Sequence, residues 1–216
     1  MKADRAVYIG GFGNGKRSAN KVADALTLFY DDVARFTFSW SMIQPGLMRE
    51  IMERADVFTH SAGFMAIPDD ARPNRVEAFS PPLETSRRHL LGRTLVKTAR
   101  MHSADVIRSS RDAKAVAAYD LSSTAELAIR PIRNLVHLGS IACFDLPGRV
   151  TEMNQAGIPV DVTYTENDEY FTVSDHTLRT LNAFSQTSAR RIPGVHDQLV
   201  LHPMDTLQAA RVFDRM

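Results

Sequence analysis

Short apolar runs that end in turn-forming residues, each followed by a helical stretch, recur along this chain. That alternation limits the folds open to it more than any other feature. Ala6-Val7-Tyr8-Ile9 ends in the cluster Gly10-Gly11-Phe12-Gly13-Asn14-Gly15. Val22, Ala25, Leu26 and Phe29 then fall on one helical face. Phe36-Thr37-Phe38-Ser39-Trp40 reads as a strand, rich in aromatic and β-branched residues. Pro45 suits a first helical turn, with Leu47, Met48, Ile51 and Met52 as its buried stripe. Strands follow at Ala55-Asp56-Val57-Phe58, Val76-Glu77-Ala78-Phe79, Val160-Asp161-Val162-Thr163-Tyr164 and Arg190-Arg191-Ile192. A helix carrying Leu178, Leu181 and Phe184 and another opened by Pro203 complete the series. Repeated βα units imply an α/β fold: a mostly parallel sheet of about six strands with helices on both faces. Ligands of such folds bind beyond the carboxyl ends of the strands.

The alternation is broken once. From 83 to 145 the strand signal disappears, and Leu91, Leu95, His102 and Val106 mark one helical face. Ser123 with Glu126 reads as a capping box. The segment 83–145 is therefore expected to be an inserted helical cap, with 1–82 and 146–216 forming the core.

Composition removes several function classes. The 216 residues carry 26 Lys and Arg against 25 Asp and Glu, a net charge of +1, which gives no general attraction to nucleic acid. No apolar run approaches a membrane span, and the start of the chain lacks the apolar region of a signal peptide. Cys143 is the only cysteine, so no intrachain disulfide forms. It reads as a small buried residue in a reducing compartment, and a cytoplasmic location is expected.

Thr59-His60-Ser61-Ala62-Gly63 lies between a strand and a helix. A serine on so sharp a turn has its hydroxyl thrust clear of the sheet, and small residues after it let other backbone approach. A serine hydroxyl is a poor nucleophile without a base, and the base needs a carboxylate to orient it. His196, in Gly194-Val195-His196-Asp197 after the last strand, is the best base. Asp168, in Thr165-Glu166-Asn167-Asp168, is the best acid, with Glu166, Asp145 and Asp197 as rivals. The reaction also creates an oxyanion, for which the N–H groups of Ala62 and Phe12 are the natural donors. His60 is expected to point to the other side of the strand end, as packing or a supporting donor. The remaining histidines are scattered without metal-ligand spacing, so neither metal nor cofactor is expected.

Gly10-x4-Gly15-Lys16 also matches a phosphate-cradling loop, which keeps a nucleotide binder as a lesser alternative. Arg17 occupies the place of the hydroxyl residue that such a loop uses for Mg²⁺.

Together these segments resemble the α/β-hydrolase family. The resemblance rests on Gly10-Gly11-Phe12-Gly13, His60-Ser61-Ala62-Gly63, the run from Asn74 to Pro82, Glu166-Asn167-Asp168 and Gly194-Val195-His196-Asp197. It covers nearly the whole chain, and the order serine, aspartate, histidine is the family's order. There are departures. Thr59 replaces the usual glycine, Gly10-Gly11 replaces the usual His-Gly, and the family's two leading antiparallel strands are absent. The resemblance implies a compact serine hydrolase, esterase- or lipase-like, acting on a small ester-like substrate under a helical lid. A hydrolase-fold binding protein without turnover is the alternative. Oligomeric state is not legible.

Overall fold

The structure, a computed structural model, describes residues 3–11, 14, 16–38, 41, 44–83, 140–141 and 144–215. Contacts divide the chain into two compact units, Met1–Thr85 with Asp145–Met216, and Ser86–Phe144. The capping box and most of the expected helical cap lie outside the described residues, as do Phe12, Trp40 and Cys143.

The first unit is built on six parallel strands: β1 (Ala3–Gly10), β2 (Tyr30–Thr37), β3 (Asp56–His60), β4 (Arg75–Phe79), β5 (Val160–Asn167) and β6 (Thr187–Val195). Their order across the sheet is β2-β1-β3-β4-β5-β6, and every pairing is parallel. The helices are α1 (Lys16–Leu26), α2 (Pro45–Met52), α3 (Leu146–Gln155), α4 (Asp175–Asn182), α5 (Gln198–Leu201) and α6 (Pro203–Ala209).

Local chemistry starts and stops these helices. Pro45, Pro147 and Pro203 each sit in a first turn, where a missing N–H costs nothing. Asp145 accepts the Gly148 N–H at 3.0 Å and caps α3, so this rival acid is a capping residue. Ser174 caps α4 through the Thr177 N–H. Gly157, with φ 78°, ends α3 in the left-handed form that glycine adopts without strain.

Alternate strand residues face opposite ways. Ala6, Tyr8, Phe58 and Phe79 join Val22, Leu26, Leu199 and Leu207 in one apolar cluster, so α1, α5 and α6 cover that face. Val7, Ile9, Val57, Val76 and Val162 point to the other face and are wholly buried. No helix among the described residues is long and apolar enough to cross a membrane.

Several expectations need correction. The second strand runs from Tyr30 to Thr37, not from Phe36 to Trp40. It is the sheet's edge, and with Asp31 and Asp32 exposed it lacks the apolar run that marks a central strand. Leu47 is exposed, so the stripe of α2 narrows to Met48 and Met52. The turn after the elbow is a 3₁₀ helix, Ser61–Ala66. The last strand extends to Val195, and α3 and α5 are additions to the elements expected from the sequence.

The strand order positions the site. From β1 the chain goes to β2 on one side, and β3 then lies on the other side of β1. The loops after β1 and β3 therefore part at their carboxyl ends, which is where open α/β sheets form their crevice.

Candidate active site at the carboxyl edge of the sheet

Ser61 stands at the end of β3 with φ 51°, a left-handed backbone that a non-glycine residue adopts at a cost of about 1–2 kcal/mol. Two glycines make the turn possible. A Cβ on Gly63 would lie 2.3 Å from the Ile9 carbonyl oxygen, so the 3₁₀ helix is pressed against the end of β1. A Cβ on Gly11 would lie 2.8 Å from the Ser61 Cβ, so the loop after β1 touches the serine itself. From the far end, Arg149 of α3 donates to the carbonyls of Ile67 and Pro68, just past that helix.

Asp168 follows β5 directly, and His196 follows β6 directly. The histidine Nδ1 lies 2.9 Å from Asp168 Oδ2 and 3.0 Å from Oδ1. A carboxylate only accepts, so Nδ1 carries a proton and the neutral tautomer is the one with Nε2 bare. Asp168 Oδ1 also accepts the N–H groups of Tyr170 and Phe171 at 2.9 and 2.8 Å. Burial pushes the Asp168 carboxyl up, but the hydrogen bond and charge of His196, the Phe171 N–H and the Ser80 hydroxyl outweigh it. The carboxyl is held below its ordinary value of 3.8. The His196 N–H donates to Glu169 at 3.2 Å, and its ring lies 4.7 Å from Tyr170 and 5.4 Å from Phe171.

Of the rival acids, Glu166 is exposed, and Asp197 Oδ1 lies 3.9 Å from His60 Nε2 rather than on His196. Ala62 is wholly buried directly after the serine. The other expected oxyanion donor, Phe12, lies outside the described residues.

Among the described residues no hydrogen bond joins Ser61 to His196. Their neighbours make the connection. His60 Nε2 donates to the His196 carbonyl at 2.9 Å, and its ring centroid lies 5.0 Å from that of His196. The sequence suggests packing or a supporting donor for His60, and in the structure its ring is buried and donates to the His196 backbone. Burial, then the neighbouring His196, lowers the His60 pKa from 6.5 to about 4, so the ring is neutral near pH 7. His60, His196 and Asp197 place potential metal-ligating atoms within 4.8 Å of one another. The His60 Nε2 of this group already donates to the His196 carbonyl.

Sequence reasoning missed Ser80. It ends β4 as Ser61 ends β3, with φ 46°, and its hydroxyl supports the Asp168 carboxylate. Its N–H is bonded to the Thr163 carbonyl at 2.7 Å. Only its place directly after a strand and before Pro81 marked it.

No protein-family profile and no curated protein sequence matches the chain. Solved structures do. A bromoperoxidase from Bacillus anthracis is 13% identical, with a TM-score of 0.62 over 100% of this chain and 93% of its own. A carboxylesterase structure from the thaumarchaeon Nitrososphaera gargenis is 11% identical, with a TM-score of 0.62 over 99% and 90%. A serine hydrolase involved in carbazole degradation is 15% identical, with a TM-score of 0.62 over 99% and 92%. With six parallel strands, helices on both faces and this likeness over nearly its whole length, the chain has the α/β-hydrolase fold.

Proposed function

We propose that this protein is a serine hydrolase that cleaves a carboxylic ester, or a related thioester or amide, through an acyl-enzyme on Ser61. The observation that carries the reading is the His196–Asp168 hydrogen bond. It orients the imidazole and leaves Nε2 as a free base at the sheet edge where Ser61 is held in its left-handed turn. In the first step the Ser61 oxygen attacks the carbonyl carbon while His196 Nε2 takes the hydroxyl proton. The negative oxygen is met by the N–H groups of Ala62 and Phe12, and one such donor is worth about 3 kcal/mol. His196 returns the proton to the leaving alcohol, thiol or amine as the tetrahedral adduct collapses. Water, activated by the same nitrogen, then releases the acid and restores the serine. Segment 83–145, read as a helical cap, would set substrate choice and exclude water.

Hydrolysis of short and medium p-nitrophenyl esters tests this, wild type beside Ser61→Ala. The reading expects a loss of about a thousandfold or more in the variant. Equal rates in the two proteins would contradict it. The missing hydrogen bond between Ser61 and His196 favours a second reading, a hydrolase-fold binding protein that does not turn over. That reading expects no reaction with a fluorophosphonate, whereas loose geometry before substrate binds still permits labelling.

A further inference from the structure

His60 is wholly buried, with both ring nitrogens in use. Nε2 faces the His196 carbonyl at 2.9 Å, and a carbonyl only accepts, so the proton sits on Nε2. Nδ1 is then bare and accepts the Asn14 side-chain amide at 2.8 Å. The loop after β1 closes on the same ring: a Cβ on Gly11 would lie 3.1 Å from Nδ1. The imidazole therefore ties three chain segments together: the loop between β1 and α1, the strand end that carries Ser61, and the loop that carries His196. Ser61 is the next residue in the chain, and the accepting carbonyl is that of His196 itself. This one hydrogen bond links the backbone of His196 to the residue that precedes Ser61.

We propose that His60 is a positioning residue, a neutral Nε2–H strut that holds the His196 backbone against the Ser61 turn and fixes the Ser61–His196 separation. The inference rests on the serine-hydrolase reading. His60 is not the base, since neither nitrogen is free to take the serine proton. Its protonated form would also set an N–H donor against the Asn14 amide, and its depressed pKa keeps that form unpopulated near pH 7.

Fluorophosphonate labelling of Ser61 tests it without knowledge of the natural substrate. The maximal rate kinact and the half-saturating concentration KI are measured for the wild type and for His60→Leu, His60→Gln and His60→Asn. Glutamine can place an amide N–H where Nε2–H stands, whereas asparagine is too short. His60→Leu should lose about tenfold to a hundredfold in kinact, with KI unchanged within about twofold. His60→Gln should recover most of that rate, and His60→Asn should not. Wild-type kinact in His60→Leu would overturn the proposal, and so would glutamine no faster than asparagine. If the leucine variant does not fold, the glutamine–asparagine pair decides alone. A wild type that takes no label at Ser61 would remove the serine-hydrolase reading and this inference with it. A labelled wild type with an indifferent His60 removes this inference only. Histidine ¹⁵N spectra give a readout apart from reactivity: the Nε2–H neutral tautomer is expected near pH 7, and an Nδ1–H or doubly protonated ring would overturn the assignment.

Discussion

A part-buried polar cluster at the amino ends of the sheet and a buried one at the carboxyl ends differ in the chemistry their groups allow. At the amino ends of β2, β3 and β4, Tyr30, Asp56 and Arg75 close a triangle. The Tyr30 hydroxyl donates to Asp56 at 2.8 Å, and Arg75 reaches Asp56 at 2.9 Å and the Tyr30 oxygen at 3.0 Å. Glu77, two residues along β4, lies 3.3 Å from the same guanidinium. At the carboxyl ends, Asp168, His196 and His60 form the other cluster. Both centre on a carboxylate and its partner; Asp56 and Arg75 are part-buried, and Asp168 and His196 are buried. The partner makes the difference. Arginine keeps its proton at any working pH, so it ties the strands together and cannot act as a base. Histidine bound through one nitrogen offers the other as a base. The backbone differs as well. The amino-end residues lie in regular strand, whereas β3 and β4 both end in a left-handed serine. The proposed site sets a group able to exchange its proton beside a left-handed turn, a feature that the amino-end cluster lacks.

The largest expected effect is at the carboxyl edge. Asp168→Asn should lower the rate of Ser61 acylation about a thousandfold to ten-thousandfold, because the imidazole loses the partner that sets its tautomer. Circular dichroism melting should show a protein still folded. An acylation rate within tenfold of wild type would mean that Asp168 does not orient the base.

The matching change at the amino edge should do the reverse. Arg75→Met leaves Asp56 and Glu77 without their shared cation and should cost about 3–5 kcal/mol in urea unfolding. Reactivity per folded molecule should not change. A stable variant, or a folded one with lost reactivity, would contradict the separation of roles.

The pH dependence of stability sharpens the contrast, because the clusters act in opposite directions. Burial raises the Glu77 pKa from 4.5 to about 7, against the pull of Arg75 and Arg190. Between those values the folded protein keeps a proton that the unfolded chain has released. This contribution to stability is therefore whole below about pH 4.5 and is lost as pH rises through 7. His60 has the opposite sign: its depressed pKa gives a contribution that is whole above 6.5 and lost as pH falls to about 4. Glu77→Gln should flatten the first slope, by about 1–3 kcal/mol, in urea titrations across that range. An unchanged slope would assign Glu77 an ordinary pKa. The smallest effect is expected at Ser80→Ala, which removes one of several donors to Asp168 and should slow acylation by about tenfold or less.

What was legible in the sequence follows from how local each signal is. The elbow was legible because Thr59-His60-Ser61-Ala62-Gly63 stands between an apolar run and a helix, and its glycine answers to a contact with β1. The sheet was legible because its central strands are continuous apolar runs, whereas the edge strand β2, half in water, was misplaced. Asp168 and His196 were legible as strand-end residues in a known order. The residues that hold them were not. The contacts of His60 with Asn14 and His196, the support of Asp168 by Ser80, and the closure of Tyr30, Asp56 and Arg75 each join segments far apart in the chain. No periodicity records such contacts, and only the folded sheet order brings them together.

The proposed reaction requires Ser61 to be a nucleophile at the carboxyl edge of the sheet. Treatment of wild type and Ser61→Ala with a fluorophosphonate, followed by peptide mapping by mass spectrometry, tests it most directly. A single adduct is expected on the peptide containing Ser61, absent from the variant. No adduct on the wild type, or an adduct on another residue that persists in Ser61→Ala, would contradict it.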